Sequence, residues 1–544
     1  MKLVRWLNSL FHLRQHSILS ASLVLAITFG LSAILGLLRS KFLYAHFFNC
    51  CVTDLDAYNA AFRLPDLIFK LLVTGALSAS FIPVFSSYLH KDKKQAYQVA
   101  STVINLLLLA FGVLSLIVFI FAPFFSSLVA GGFSPSQLTL MSQLTRILLF
   151  AQIFFLISNF LTGILQVNQI FLLPSLSPLL YNLAIIASIF LIAPRFGIYG
   201  VTYGAVIGAF LHLFIQVPAL KKVGFKYFPL VNAKLSGVRE IIRLMVPRSL
   251  SLGLGEIENT VTLFFASTLT AGSISLLNLA IQVMYLPSRI FATTVGQASL
   301  PMLSKNIATN QLDLFRDTVR KIILQSLYLA LPITIIILIH RVAIVRLAFG
   351  AKQFPWSATL QTAKTLAFLT PAIACQAIIQ ILIRAFYALH NTKTPLYISA
   401  ISLIANICTA YFFINFTDLG IYGLALSVSL GNLVQCFGLL YFFIKSVDGS
   451  GWNKTLYDSI RIFISSLFMG IVTWLSLKVL DLFVLDTSKT INLAFLFMVS
   501  TSVGFIAYAF ISLRFKLEQI QSYRRFFKKL INLISKNQFF LSSN

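Results

Sequence analysis

From one end of the chain to the other, apolar runs of about 18 residues or more recur, each long enough to cross a bilayer as a helix. Lipid offers no water to exposed backbone groups, so only helices and closed barrels can span it. A spanning barrel would read as alternating segments of about ten residues, and these runs do not alternate. Hydrophobic residues make up 58% of the chain and charged residues 10%, where a soluble protein would carry about 25% charged. The fold class expected is therefore all-α and polytopic. We read fourteen spans, near 18–45, 56–88, 97–122, 139–165, 172–194, 199–220, 240–269, 274–303, 314–345, 358–388, 396–416, 421–444, 458–479 and 490–513. Pro65, Pro287 and Pro371 fall inside spans, where neighbouring helices or water satisfy the freed backbone groups.

A net charge of +27 suggests nucleic acid, but its placement argues against that partner. Lys91, Lys93 and Lys94 follow span 2. Lys221, Lys222, Lys226, Lys234 and Arg239 follow span 6. Lys305, Arg316, Arg320 and Lys321 follow span 8, and Arg514, Lys516, Arg524, Arg525, Lys528, Lys529 and Lys536 form a basic tail. The intervening segments 124–138 and 270–273 carry no charge. By the positive-inside rule both termini are cytoplasmic, as an even number of spans requires. Segments 1–17 and 514–544 mix Leu, Phe and Trp or Tyr with Lys and Arg and are expected to lie flat on an anionic leaflet, with membrane lipid as their partner. The first apolar run has no small-residue cleavage site and is read as an uncleaved span.

Chemistry-bearing motifs are sparse. Cys50, Cys51, Cys375, Cys408 and Cys436 lack metal-ligand spacing, and adjacent cysteines such as the first two rarely form an unstrained disulfide. No Gly-rich loop ending in Lys-Ser/Thr is present, so direct use of ATP is not expected, nor is a resident cofactor.

The chain repeats itself. LPDLIFKLLVTGALSASFIPVFSSY at 64–88 and LPSRIFATTVGQASLPMLSK at 286–305 share LPxxIF, a Gly with small residues, and a closing Pro then Ser. PSLSPLLYNLA at 174–184 pairs with PLYISAISLIANI at 395–407, setting Asn182 against Asn406. Both offsets are close to 222 residues, or six spans. An even number keeps orientation, so two parallel six-helix lobes are expected, 18–222 and 223–446, with 447–513 as two further helices. Sites in transporters of this plan lie near mid-membrane between the repeats.

The sequence resembles the MurJ (MviN) family of lipid II flippases. The match is carried by ILGLLRSKF at 34–42, DAYNAAFRLPDL at 56–67, TGALSASFIPVFSSY at 74–88, FFASTLTAGSISLLNLA at 264–280, LPMLSK at 300–305 and RAFYALHNTKTP at 384–395. It covers most of spans 1–12 and is weak in the last two. The resemblance implies the multidrug/oligosaccharidyl-lipid/polysaccharide exporter fold and export of the lipid-linked peptidoglycan precursor across the bacterial inner membrane, with no enzymatic activity. Carried over residue by residue, the family's basic and acidic positions match Arg39, Asp56, Arg63 and Lys70. Ala33, Phe69 and Gln282 stand where the family often has a basic residue. Gln282 replaces an Arg thought to meet the substrate's phosphates.

Lipid II presents a lipid tail, a diphosphate and a sugar–peptide head. The head needs a wet, closed path with cations for the diphosphate, and Arg suits phosphate through its bidentate fork. The candidates for substrate binding are Arg39, Asp56, Arg63, Lys70, Arg248, Gln282, Arg289 and Arg384. Taken singly, Arg39 and Lys70 would equally snorkel to an interface, and Arg63 would pair with Asp66 one turn on. As a set, the basic residues bracket both copies of LPxxIF. Arg146 and Lys364 are read as snorkellers or packing partners.

Two of only 15 acidic residues, Glu256 and Glu258, sit in span 7. Two positions apart on a helix, they point about 200° apart. One is expected to pair with Arg248 or Arg289, or to bind the sodium ion or proton that drives the cycle. Glu258, the deeper, is the stronger candidate for coupling, with Thr262 and Asn406 as neutral ligands for sodium. The reading is an ATP-independent flippase working by alternating access, expected to act as a monomer. The alternatives are a flippase for another lipid-linked oligosaccharide or a multidrug/cation antiporter of the same fold. A membrane glycosyltransferase or ligase would need acidic or His clusters in outward loops, and 124–138 and 270–273 have none. A scaffold without transport would not need charged residues in both lobes.

The charge distribution generates a test. With the five native cysteines removed, Ala130→Cys should react with an impermeant thiol reagent outside intact cells and Leu230→Cys should not. Labelling of position 230 from outside would reverse the topology.

Overall fold

Helices begin and end where side chains or glycine can satisfy or turn the backbone. In a computed structural model the described residues are 18–74, 80–287, 302–303, 306–307, 309, 311–350, 354–447, 451–483, 486–487 and 489–521. The interfacial segment 1–17 and most of the basic tail lie outside them. Helices account for nearly all of the described chain: α1 (Ile18–Phe47), α2 (Val52–Ala61), α3 (Arg63–Phe69), a π-helical turn (Lys70–Thr74), α4 (Ile82–Lys91), α5 (Lys93–Ile120), α6 (Ala122–Val129), α7 (Pro135–Val167), α8 (Leu172–Leu191), α9 (Ala193–Phe196), α10 (Ile198–Phe214), α11 (Val217–Val223), α12 (Ser236–Ser267), α13 (Ser273–Pro287), α14 (Leu312–Ile339), α15 (Arg341–Phe349), α16 (Trp356–Ala388), α17 (Lys393–Phe416), α18 (Ile421–Ser446), α19 (Trp452–Phe483) and α20 (Thr490–Arg514). Cys50 and Cys51 are paired as a disulfide in the turn after α1.

Eleven of the described helices are long and apolar enough to cross a membrane. Three of the fourteen expected spans fall outside that count of the described residues. Span 2 is broken into α2, α3, the π-turn and α4, with 75–79 outside the described residues. Span 7 is the continuous 32-residue α12, but its charged residues dilute its apolar character. Span 8 is described only as the 15 residues of α13.

The chain divides into two compact units. One holds residues up to Asn278 together with Ala348–Trp356, and the other holds Leu279–Leu347 and Ser357 onward. In the first unit α10 packs on α8 and α7, α1 on α8, and α2 on α7, while α12 lies against the π-turn, α4 and α6. Two helices of this unit, α5 and α7, start on side-chain caps. Asp92 accepts hydrogen bonds from the Lys94 and Gln95 amides at 2.8 and 3.3 Å, and Ser134 with Gln137 forms a capping box at α7. A buried polar chain ties α7 to the α10–α11 break: Ser158 Oγ lies 2.6 Å from His212 Nδ1 and accepts from Gln216 Nε2 at 2.7 Å, while Thr162 Oγ1 donates to Gln216 Oε1 at 3.0 Å. Arg146 is a packing partner here: its Nε donates to the Phe119 carbonyl at 2.9 Å.

The second unit is built on α14, α16, α17 and α18, whose core includes Phe315, Phe386 and Phe443. The last two helices are embedded in it. Ile462 and Met469 of α19 and Tyr508 of α20 pack with Leu324, Tyr328 and Ile336 of α14, and Tyr508 Oη donates to the Tyr328 carbonyl at 2.9 Å.

The same packing device occurs once in each unit. GIYG begins α10 at Gly197 and α18 at Gly420, 223 positions apart. Both glycines have positive φ, 56° and 51°, with strongly negative ψ, a region closed to other residues. Eleven residues on, Gly208 and Gly431 let the preceding helix come close. A Cβ at Gly208 would lie 2.9 Å from the Tyr181 carbonyl oxygen, and one at Gly431 would lie 3.2 Å from the Asn406 Cβ. Gly208→Ala should therefore push α8 and α10 apart and cost about 1–3 kcal/mol of stability, read as a lower unfolding midpoint in detergent. Gly112→Ala, where a Cβ meets nothing within 4 Å, should be neutral or slightly stabilising. Equal effects at both positions would show that the approach is not tight.

Candidate functional site

Between Asp56 and Thr74 the chain makes nearly two helices' length without running straight. Pro65 sits in α3, and at Lys70 the backbone widens into the π-turn. Such widened turns occur mostly as local bulges at functional positions. Arg63 and Lys70 are seven residues apart, about two helical turns, and so share one face. Opposite that face lies α12. Gly253 permits the approach, since a Cβ there would stand 3.0 Å from Leu71 Cδ2. One turn further along, Glu256 faces the same way.

Glu256 meets both cations. Lys70 Nζ donates to Glu256 Oε1 at 2.8 Å, and Arg63 Nη1 stands 3.8 Å from Glu256 Oε2. Glu256 is 9% exposed, whereas the Arg63 and Lys70 side chains are 21% and 40% exposed. The carboxylate is thus the closed end of the cluster and Lys70 the open one. Satisfaction is incomplete: Arg63 Nε and Glu256 Oε2 are buried without a hydrogen bond among the described residues. Buried polar atoms in native proteins rarely stay unpaired, so these mark a place where another polar group belongs. Asp66, on the same stretch, accepts from Gln152 Nε2 at 2.7 Å instead of pairing with Arg63. Arg39, on α1, lies over the Tyr181 ring at 5.9 Å, a cation–π distance.

The structure brings Arg63, Lys70 and Glu256 together and places Arg39 in the same unit. It gives Asp56 a different task. Asp56 is 2% exposed, and its carboxylate accepts from the Gly272 amide at 2.6 Å, the Ser275 amide at 2.9 Å and Ser275 Oγ at 2.6 Å. It holds the turn that starts α13, as an acid at a helix N-terminus does. Asn59 extends this network to Ser275 and Tyr44, at 3.1 Å each.

Of the two span-7 acids, the charged partners belong to Glu256. Glu258 is half-buried and makes no ion pair among the described residues, and its carbonyl accepts from Thr262 Oγ1 at 2.9 Å. The two do point apart, as the helical spacing requires. Arg248 lies on α12 with its side chain outside the described residues, and Arg289 lies outside them altogether. Gln282, Arg384 and Asn406 belong to the second unit. Asn406 is fully buried, and both its amide atoms lack a hydrogen bond among the described residues. Gln152 was not among the expected residues. Its signal was a lone amide within LLFAQIFFL, the kind of polar residue an apolar span retains only with a partner.

The chain is similar in sequence to proteins of one family. A family model described as "Lipid II flippase MurJ" matches residues 47–495. A protein of Bdellovibrio bacteriovorus named "Probable lipid II flippase MurJ" is 28% identical over 504 residues, covering 91% of this chain and 94% of the relative. A "Lipid II flippase MurJ" of Burkholderia cenocepacia is 26% identical over 426 residues, covering 76% and 81%. Among solved structures, a lipid II flippase MurJ in an inward closed conformation superposes with a TM-score of 0.75 at 25% identity, over 92% of this chain and all of that one. An inward-facing multidrug MATE transporter gives 0.61 at 16% identity, over 79% and 99%, which is a likeness of fold.

The ion pair predicts a compensation. Glu256→Gln leaves two cations without their carboxylate and should lower stability by about 1–3 kcal/mol, the lower part of the range applying because Lys70 is partly solvated. Lys70→Gln in the same chain should restore much of that loss. Additive losses in thermal unfolding of the single and double variants would show that the two do not interact.

Proposed function

The chain belongs to the MurJ family of lipid II flippases, multi-pass transporters of the bacterial inner membrane with no enzymatic step, and on that premise we propose that it carries the polar head of lipid II from the cytoplasmic to the outer leaflet. The lipid tail stays in hydrocarbon throughout, so the protein's task is to shelter the diphosphate and the sugar–peptide head. The observation that carries this reading is the Arg63–Lys70 face. It offers two cations to one anion, closed at one end by Glu256 and open at the other. Arg63 supplies the fork that matches phosphate oxygens, and Lys70 a mobile point charge. Arg39 adds a third cation in the same unit. Arg248, Gln282, Arg289 and Arg384 are assigned to the substrate path on the family resemblance.

The transport cycle we propose is alternating access of two repeated halves, residues 18–222 and 223–446, with fourteen spans and both termini in the cytoplasm. The paired GIYG turns and their close-packed glycines support the repeat. An ion gradient or the membrane potential drives it, and Glu258 is the coupling carboxylate. Glu258 is half-buried in span 7, and an acid inside a membrane span is the kind of group that binds sodium or a proton.

The experiment is genetic. The chain should restore growth to a bacterium depleted of its own lipid II flippase. Arg63→Ala and Arg39→Ala should each slow flipping on the order of tenfold or more, the loss of at least one charge-assisted hydrogen bond, with the protein still folded. Arg63→Lys should recover only part, because an ammonium lacks the fork. Full activity of both Ala variants would remove these arginines from the substrate path. Failure of the unmodified, folded chain to complement would point to a different lipid-linked head group, for which Gln282 in place of the family's usual Arg is the residue to examine.

A further inference from the structure

We propose that Glu256 sets the selectivity of the cation site, excluding single phosphates and yielding to a diphosphate. The proposal rests on the reading of Arg63 and Lys70 as diphosphate ligands. An open Arg–Lys pair inside a membrane faces a large excess of phospholipid phosphodiesters, each with a single negative charge. Nothing in two cations alone would keep those lipids out. In this chain the two cations are already bridged by one carboxylate, Oε1 on Lys70 at 2.8 Å and Oε2 toward Arg63 at 3.8 Å. A phosphodiester carries the same charge as Glu256, so exchanging one for the other gains no Coulomb energy. It also leaves Glu256 buried, at 9% exposure, without its partners. A diphosphate diester strands Glu256 equally, but it carries two charges and has oxygens enough to span both cations, so it offsets that cost where a phosphodiester does not.

The geometry is that of an occupied but unsaturated site. Arg63 Nε and Glu256 Oε2 are both buried with no hydrogen bond among the described residues. The Arg63 leg is an ion pair too long for a hydrogen bond. A diphosphate oxygen would satisfy the fork that Glu256 leaves open. The other acid of this face, Asp66, accepts from Gln152 at 2.7 Å and forms no ion pair with either cation among the described residues, although it lies within their electrostatic reach. Glu256 rides on α12 and Lys70 opens the π-turn. Loss of their contact on substrate binding would therefore release α12 from that segment.

The test compares binding of a polyprenyl diphosphate and of phosphatidylglycerol to the full purified chain in detergent. The unmodified protein should prefer the diphosphate. In Glu256→Gln the preference should fall by about tenfold or more, mainly because phosphatidylglycerol binds more tightly. Glu256→Asp, which keeps the charge, should hold most of the preference. An unchanged preference in Glu256→Gln, or equal weakening of both ligands, would overturn the proposal. If Arg63→Ala and Lys70→Ala bind the diphosphate as well as the unmodified chain does, the assignment of the cations fails, and the role of Glu256 with it. A measurement without substitution covers the case in which Glu256→Gln does not fold. At matched ionic strength, inorganic pyrophosphate should raise the thermal unfolding midpoint of the unmodified chain and dimethyl phosphate, a singly charged phosphodiester, should not. Equal shifts from the two anions would also overturn it.

Discussion

In hydrocarbon a polar group has no water to turn to, and the pairing of the buried polar side chains among the described residues follows from that. The backbone solves the problem by being helical almost throughout. Side chains solve it locally where they can. Ser and Thr hydroxyls donate to carbonyls three or four residues back, as Thr260 does to Glu256 and Ser466 to Ile462. Larger groups need partners on other helices. The Ser158–His212–Gln216–Thr162 chain and the Tyr508–Tyr328 contact are such solutions, and each joins helices distant in sequence.

Against that background two acids of the first unit divide the work. Asp56 is fully satisfied, with three donors on its carboxylate, and anchors the start of α13. A group so completely engaged is a fastener. Glu256 is incompletely satisfied and sits beside cations that open toward solvent. Incomplete pairing in low dielectric is costly, and it persists where another ligand completes it. The same contrast separates Asn406, buried with an amide unpaired among the described residues, from Asn182, whose Nδ2 donates to the Pro178 carbonyl at 3.0 Å.

Packing answers to a second demand. Apolar side chains gain nothing by leaving lipid for one another, so helix association leans on close contact and on small residues. Gly208 and Gly431 mark matching close approaches in the two units, and the positive-φ glycines before them set the entry of each helix. The device recurs at a constant spacing, which is how a duplicated six-helix unit would look after most of its surface had diverged.

Composition and apolar run length alone determined the all-helical, membrane-spanning class, because backbone satisfaction in lipid leaves so few choices. Charge placement gave an expected topology, LPxxIF an expected repeat, and DAYNAAFRLPDL with RAFYALHNTKTP pointed to the family. Arg63, Lys70 and Glu256 were visible as charges inside apolar spans, though taken singly Lys70 would equally snorkel and Arg63 would equally pair with Asp66. Which of them meet was a matter for the tertiary structure. Helical spacing showed that Glu256 and Glu258 diverge, but could not say which one turns toward α3. The answer lay in Gly253 and the π-turn at Lys70, features whose meaning depends on what packs against them. Nor could spacing tell that Asp56 serves a cap 216 residues away, or that Asp66 takes Gln152 and leaves Arg63 to Glu256. Cost and periodicity are local properties and can be read along a chain, whereas a partner is a property of two segments that only folding brings together.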